Sequence, residues 1–143
     1  MKMTFELDHI AVAVESLEKG KTFYEALGLG AMTTETVASE GVNVGFFELD
    51  NDARIELLEP MSAESPVGKF LAKRGPGIHH ICLKVKDVRA TVAALKAQGV
   101  QMINDEPRPG AHGCLVAFVH PKSTGGVLLE LSQHPEEVRR SRK

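Results

Sequence analysis

The stretch LDHIAVAVESLEKGKTFYEALGL, at residues 7–29, is matched by IHHICLKVKDVRATVAALKAQGV at residues 78–100, and this repetition decides the fold. The offset between the two copies is a constant 71 residues, as from His9 to His80. Each copy begins with alternating apolar residues, which have the period of two expected of a half-buried strand. An amphipathic helix pattern and a glycine follow in both, so the chain is predicted to contain two copies of one strand–helix unit.

The rest of each half is repeated as well. The segment GVNVGFFELDNDARIELLEP (residues 41–60) matches GCLVAFVHPKSTGGVLLELS (residues 113–132), with a hairpin connection two residues longer in the second copy. Turn-forming residues interrupt the apolar pattern in both segments and mark the hairpins. Each half is therefore predicted to be a β-α-β-β unit, with one further short strand around residues 31–38 and 101–104.

Local signals predict where the helices begin and end. Ser16 and Asp87 can cap the first helix of each half, and Gly28 and Gly99 can end these helices. Between the halves, Ser65 precedes a proline that opens a short helix, which stops before the sequence Gly-Pro-Gly. A single half would leave one sheet face uncovered, so the two halves are expected to pack together as one domain.

Composition argues against several functional classes. Of the 143 residues, 43% are apolar and 25% charged, as in ordinary soluble proteins, and no apolar run approaches the ~20 residues of a membrane span. A formal net charge of -2 gives no reason to expect a nucleic-acid partner. Cys82 and Cys114 lack metal-finger spacing and are predicted to be reduced core residues. Because the N-terminus has no signal-peptide or transit pattern, cytoplasmic localisation is expected.

Strand parity predicts a metal site. His9 and His80 are expected on the strand face opposite their bulky apolar neighbours, and Glu56 and Glu130 should likewise face away from the apolar residues beside them. Since the repeat relates the two histidines and the two glutamates, the four side chains are predicted to converge. Buried carboxylates are costly unless a cation or donors meet them. This set suits a divalent cation such as Co²⁺, Mn²⁺ or Ni²⁺, with Zn²⁺ as an alternative.

Other polar residues are interpreted more conservatively. His79 has the parity of the helix-facing side and is expected to pack there or to support a ligand. Lys122 and Ser123, in the second hairpin loop, are predicted to contact a substrate phosphate, with a plain turn as the alternative. No catalytic role is assigned to the histidines that lack a repeat partner, His112, His120 and His134.

Five longer motifs are distributed over nearly the whole chain: LDHIAVAV, RIELLEP, SPVGKFLAKRGPGIHHICLKV, DEPRPGAHG and HPKSTGGVLLELSQ, of which the last two are the most specific. In these motifs the chain resembles the vicinal oxygen chelate superfamily and, within it, the methylmalonyl-CoA epimerases. The resemblance implies an α+β fold in which two β-α-β-β-β modules pair into one cup-shaped mixed-sheet barrel. The expected single domain, 1–143, divides into modules at 5–60 and 78–134, a linker helix at 62–77 and a basic tail at 135–143.

The resemblance also implies an activity. It predicts an isomerase that interconverts (R)- and (S)-methylmalonyl-CoA through a metal-stabilised enolate and two-sided proton transfer. It further implies an acyl-CoA substrate, a homodimer and a role in propionate metabolism. The metal ligands that it implies are His9, Glu56, His80 and Glu130.

The proton carriers follow less directly from the resemblance. Glu130 is expected to be one carrier. Some epimerases have their second glutamate at the position of Val44 in this chain, so Glu48 is predicted to replace it, with Glu40 or a metal-bound water as alternatives. The chain also differs from some epimerases at position 56, which is a glutamate here and a glutamine in those proteins.

Alternative functions on the same scaffold remain open. A glyoxalase-type metal-dependent lyase would use similar ligands, although the final hairpin sequence argues against it. An extradiol dioxygenase normally needs two histidines and one carboxylate, so the additional Glu56 argues against that class. A non-catalytic ligand-binding module of the same fold would require no metal ligands at all.

Overall fold

The computed structural model describes residues 4–135. Residues 1–3 and 136–143 lie outside the described part, and with them nearly all of the basic tail predicted over 135–143. The described chain forms two compact units. Residues 9–79 make up the first unit, and residues 80–135 together with residues 4–8 make up the second.

The strands of the first unit are hydrogen-bonded in the order β2-β3-β4-β1. Strand β1 is parallel to β4, and the other neighbours are antiparallel. The core includes Val14, Phe47 and Leu57, and the Tyr24 ring packs against that of Phe47 with 5.6 Å between centroids. The elements in chain order are β1 (Glu6–Ala13), α1 (Leu17–Leu27), β2 (Thr33–Val37), β3 (Val42–Glu48), β4 (Arg54–Pro60) and α2 (Pro66–Arg74).

The second unit repeats this plan with the strand order β5-β8-β7-β6. Strand β5 is parallel to β8, and the remaining neighbours are antiparallel. Val88 and Val92 of the helix pack with Val85, Ala117 and Leu131 to form the core. The elements are β5 (Gly77–Lys84), α3 (Val88–Ala97), β6 (Arg108–Pro109), β7 (Leu115–Val119) and β8 (Leu129–Gln133).

The helix boundaries agree with the local sequence signals. The Ser16 side chain accepts a hydrogen bond from the backbone N–H of Lys19 at 3.2 Å, and that of Asp87 accepts one from Ala90 at 3.1 Å. Gly28 follows α1 with a left-handed φ of 98°, which glycine adopts without strain. The predicted caps therefore fix the start of α1 and α3 and the end of α1.

A second anchor, which the sequence did not reveal, holds the start of both helices. The backbone N–H of Leu17 donates to Oε2 of Glu59 at 3.0 Å, and that of Val88 donates to Oε1 of Gln133 at 2.9 Å. Each acceptor lies three residues after the glutamate predicted as a metal ligand. The two halves thus also share a hydrogen bond between the start of the helix and the strand that carries the predicted glutamate ligand.

One strand prediction is wrong. The strand expected around 31–38 is present as β2, but the one around 101–104 is reduced to a single bridge between Met102 and Val119. The ladder stops because the Asn104 side chain, instead of a backbone carbonyl, accepts the N–H of Phe118 at 2.9 Å. The edge strand is β6, with only 2 residues, and Pro109 within it has no N–H to offer.

Candidate metal centre

The first imidazole–carboxylate pair lies within residues 9–79. Strand β1 pairs in parallel with β4 so that His9 stands opposite Arg54 and Ala11 stands opposite Glu56. This register places the side chains of His9 and Glu56 on one face of the sheet. Nδ1 of His9 lies 3.3 Å from Oε2 of Glu56, and both side chains are buried.

The second pair lies within the other unit. Cys82 is the register partner of Glu130 in the parallel β5–β8 pair, and His80, two residues before Cys82, shares that face. Nε2 of His80 lies 2.9 Å from Oε1 of Glu130, and both side chains are buried. The ring of Phe118 meets the His80 imidazole edge to face at 5.3 Å between centroids, which restricts rotation of the imidazole.

Each unit therefore brings one buried imidazole into contact with one buried carboxylate. The residues Glu56 and Glu130 are only 3% and 8% exposed, so their carboxylates need strong polar or cationic partners. Imidazole nitrogen and carboxylate oxygen are ligands that suit Co²⁺, Mn²⁺, Ni²⁺ and Zn²⁺. The residues present fit a divalent cation in their donor chemistry.

Arg54 is a buried charged residue that the sequence reasoning missed. Its Nε and one terminal guanidinium nitrogen each lie 3.1 Å from Oε2 of Glu56, and its side chain is 9% exposed. A signal was present, because Arg54 and Glu56 are two residues apart on a strand and must share a face. The pattern was overlooked because an arginine at a strand start is usually solvated.

The remaining predicted site residues are less buried. Glu48 is exposed at the end of β3, in register with Arg54, and Glu40 is half-buried in the one-turn helix Ala38–Glu40. Lys122 and Ser123 are exposed in the turn before β8. The hydroxyl of Ser123 accepts the backbone N–H of Gln101 at 2.9 Å, so this side chain helps to hold the loop.

The histidines given no catalytic role include two whose rings make long-range contacts. The His79 ring packs on Phe70 at 5.0 Å between centroids, in line with the packing role expected. His134 follows β8, and its Nε2 lies 2.5 Å from Oδ1 of the buried Asp8. The hydrogen bond with Asp8, followed by one with Cys114, raises the pKa of His134 to about 9. The imidazole therefore carries a positive charge at neutral pH.

Comparison with known proteins identifies the family. Residues 8–118 match the Glyoxalase/Bleomycin resistance protein/Dioxygenase superfamily. The chain is 45% identical over 130 residues to the mitochondrial methylmalonyl-CoA epimerase of Mus musculus, covering 89% of this chain and 72% of the relative. It is 41% identical over 134 residues to an ethylmalonyl-CoA/methylmalonyl-CoA epimerase of Cereibacter sphaeroides, covering 92% and 99% of the two chains.

A solved structure agrees with the sequence comparisons. A methylmalonyl-CoA epimerase in complex with methylmalonyl-CoA and NH4+ superposes with a TM-score of 0.86 at 36% identity, over 94% of this chain and 96% of that chain. This similarity confirms the α+β vicinal oxygen chelate fold expected from the resemblance. Within residues 4–135, no helix has the length and apolarity needed to cross a bilayer. The chain belongs to the glyoxalase/bleomycin resistance protein/dioxygenase superfamily and, within it, to the methylmalonyl-CoA epimerase family.

Proposed function

We propose that this protein is an isomerase that interconverts (R)- and (S)-methylmalonyl-CoA. The observation that carries the proposal is the 41–45% identity to methylmalonyl-CoA epimerases over about nine-tenths of the chain. The buried imidazole–carboxylate pair of His80 and Glu130 supports it, because such a pair combines a potential metal ligand with a potential proton carrier. An acyl-CoA ligand is supported by the relative that holds methylmalonyl-CoA.

A divalent cation held by four residues completes the proposed site, with Co²⁺ as the first candidate. When bound, the cation supplies a positive charge that stabilises the negative charge developing on the thioester oxygen as the α-proton leaves. The chain's contribution is to hold the ligands in place, since each imidazole already contacts a carboxylate within its own unit. The proposed ligands are His9, Glu56, His80 and Glu130.

Two proton carriers are needed because inversion removes a proton from one side of the α-carbon and returns one to the other. We assign Glu130 to one side, since its buried carboxylate lies within hydrogen-bonding distance of the His80 imidazole, with 2.9 Å between Oε1 and Nε2. Glu48 is proposed for the other side, because its register with Arg54 puts it on the sheet face of Glu56. Glu40 is the alternative for that role.

Further parts of the proposal concern CoA binding and the cellular setting. Lys122 and Ser123 are proposed to contact a phosphate of the CoA moiety. Both residues are exposed in the same turn, and Lys122 supplies a positive charge there. We also propose a homodimer, a cytoplasmic location and a role in propionate metabolism. Nucleic acid is not among the proposed partners, because the formal net charge is -2.

Exchange of the α-proton tests the function. Incubation of methylmalonyl-CoA with the protein and Co²⁺ in D₂O should place deuterium at the α-carbon and convert either stereoisomer into the mixture, as followed by mass spectrometry and a stereospecific coupling assay. Without added Co²⁺, and after chelation, the rate should fall strongly. Absence of exchange by the Co²⁺-loaded protein would refute the epimerase function.

Two substrate controls sharpen this test. Ethylmalonyl-CoA is included because the Cereibacter sphaeroides relative is named for both acyl-CoA compounds. Methylglyoxal with glutathione tests the glyoxalase-type lyase alternative directly. Turnover of methylglyoxal with no exchange of methylmalonyl-CoA would replace the proposal with the lyase.

A further inference from the structure

The contact of Arg54 with Glu56 is chemically unusual because it joins a buried cation to a proposed metal ligand. Two nitrogens of the Arg54 guanidinium, Nε and one terminal nitrogen, contact the same oxygen of Glu56. Each lies 3.1 Å from Oε2. His9 approaches the same oxygen at 3.3 Å. All three residues lie within residues 9–79, and all three are buried.

The repeat shows that the fold does not require a cation at this position. Glu56 corresponds to Glu130 in the second half, and at the same spacing Arg54 corresponds to Leu128. A leucine, immediately before β8, thus occupies the equivalent position. Since a buried arginine is expensive to desolvate, its presence in one half alone indicates a role in the site, beyond that of packing.

We propose that Arg54 is a positioning residue that sets the net charge of the metal centre. This inference rests on the proposed function. The negative charges of the two glutamate ligands balance the two positive charges of a divalent cation. The two histidine ligands are neutral and do not change this sum. Arg54 offsets the charge of Glu56 and so leaves one positive charge. That charge favours a substrate that carries a free carboxylate beside its thioester, and it favours the further negative charge that forms when the α-proton leaves.

Four chains test the charge assignment: the wild type, Arg54→Met, Glu56→Gln and the double variant Arg54→Met/Glu56→Gln. The double variant removes one cation and one anion, so its net charge equals that of the wild type. Co²⁺ affinity, measured by titration calorimetry, should be on the order of tenfold tighter in Arg54→Met and weaker by a similar factor in Glu56→Gln. The double variant should return close to the wild-type affinity.

Thermal unfolding of the metal-free proteins adds a readout independent of activity. Arg54→Met should lower the Tm, because it leaves a buried carboxylate with less compensation, and the double variant should regain most of the loss. The two effects of Arg54→Met therefore have opposite signs: tighter Co²⁺ binding in a less stable protein. A purely structural arginine would lower both the Co²⁺ affinity and the Tm.

Substrate kinetics connect the charge to recognition. With Co²⁺ at saturation, Arg54→Met should raise the KM for methylmalonyl-CoA more than it lowers kcat, and the double variant should restore the KM. Arg54→Lys retains the charge with a different donor geometry, so it should keep the KM near that of the wild type and change the visible spectrum of bound Co²⁺. If Arg54→Met does not fold, the Arg54→Lys and double variants still decide the outcome.

The results separate this inference from the proposed function. Co²⁺ affinity that is unchanged or weaker in Arg54→Met overturns the charge assignment while leaving the epimerase proposal intact. A wild-type protein that binds no Co²⁺ overturns both. If the wild type fails to exchange the α-proton, yet the affinities follow the expected order, the charge assignment holds and the substrate proposal is overturned.

Discussion

Nε2 of His80 lies 2.9 Å from Oε1 of Glu130, and both atoms belong to buried side chains on neighbouring parallel strands. Phe118 packs against the His80 ring and keeps it oriented. The contact has a close counterpart between His9 and Glu56 in the first unit. These contacts hold the His80 imidazole in one orientation, so it loses little entropy when it binds a cation. The loss of this imidazole should therefore affect metal binding far more than folding.

Replacement of His80 by alanine should therefore abolish metal binding while the fold persists. We expect Co²⁺ affinity to fall by more than about 100-fold, since removal of a direct ligand should exceed the 10- to 100-fold cost of losing a supporting residue. Epimerase activity should be lost in parallel. Titration calorimetry and circular dichroism measure the two properties separately.

The neighbouring histidine provides the matched control. His79→Ala removes an imidazole that packs on Phe70, so it should lower the Tm and leave Co²⁺ affinity almost unchanged. Equal losses of affinity in the two variants would contradict the assignment of His80 as a ligand. Glu56→Ala should behave like His80→Ala, with loss of metal and activity together.

The two proposed proton carriers predict different defects. Glu130→Gln should stop exchange from both stereoisomers, because it alters a ligand and a carrier at once. Glu48→Gln should slow interconversion by about 10²- to 10⁴-fold, the usual contribution of a general acid or base, while one stereoisomer still exchanges its α-proton through Glu130. Each stereoisomer is incubated separately in D₂O, and deuterium uptake is compared with inversion.

Glu40→Gln serves as the comparison for this experiment. It should have little effect if Glu48 is the second carrier, and it should produce the one-sided defect if Glu40 is. Full inversion rates in both variants would leave Glu48 and Glu40 without a catalytic role.

Much of the fold could be predicted from the sequence because its signals are local and occur twice. Ser16 and Asp87 cap helices where their positions indicated, and each predicted hairpin is present. Strand parity likewise put His9 with Glu56, and His80 with Glu130, on shared faces. Two-residue periodicity together with the apolar neighbours of each residue is sufficient for this, since those neighbours mark the opposite face of each strand.

Other features escaped prediction because they depend on partners far away in the sequence. Asp8 and His134 are 126 residues apart, and no local pattern links them. The strand around 101–104 failed because a side chain, Asn104, took a hydrogen bond that the backbone was expected to make. Arg54 was missed for a different reason: its partner Glu56 is only two residues away, but an arginine at a strand start is usually solvated.

The anchors at the two helix starts predict a small, repeated effect on stability. Glu59→Ala should lower the free energy of unfolding by about 1 kcal/mol, because it leaves the first N–H of α1 without its side-chain acceptor. Gln133→Ala should cost a similar amount at α3. Glu59→Gln keeps an acceptor and should lose less. Urea unfolding of the metal-free protein measures these differences, and equal losses for the alanine and glutamine variants would contradict the anchoring role of Glu59.

The charged pair of His134 and Asp8 predicts how stability depends on pH. The pKa of His134 is raised from 6.5 to about 9 in the folded protein, so the folded state binds this proton more tightly than the unfolded chain does. The contribution to stability is fully present below pH 6.5 and is lost as the pH rises through about 9. Each pKa unit corresponds to about 1.4 kcal/mol, so the shift alone would amount to about 3.5 kcal/mol. Because the imidazole is only half-buried, solvent screening reduces the expected contribution to on the order of 2 kcal/mol.

His134→Gln tests this dependence. The free energy of unfolding of the metal-free wild type and variant is measured at intervals from pH 6 to pH 9.5, with reductant present because Cys114 also contacts the imidazole. The wild type should be the more stable protein at pH 6, and the difference should shrink steadily towards pH 9.5. A difference that stays constant over this range would mean that the imidazole contributes through packing, and that its proton is held no more tightly in the folded chain than in the unfolded one.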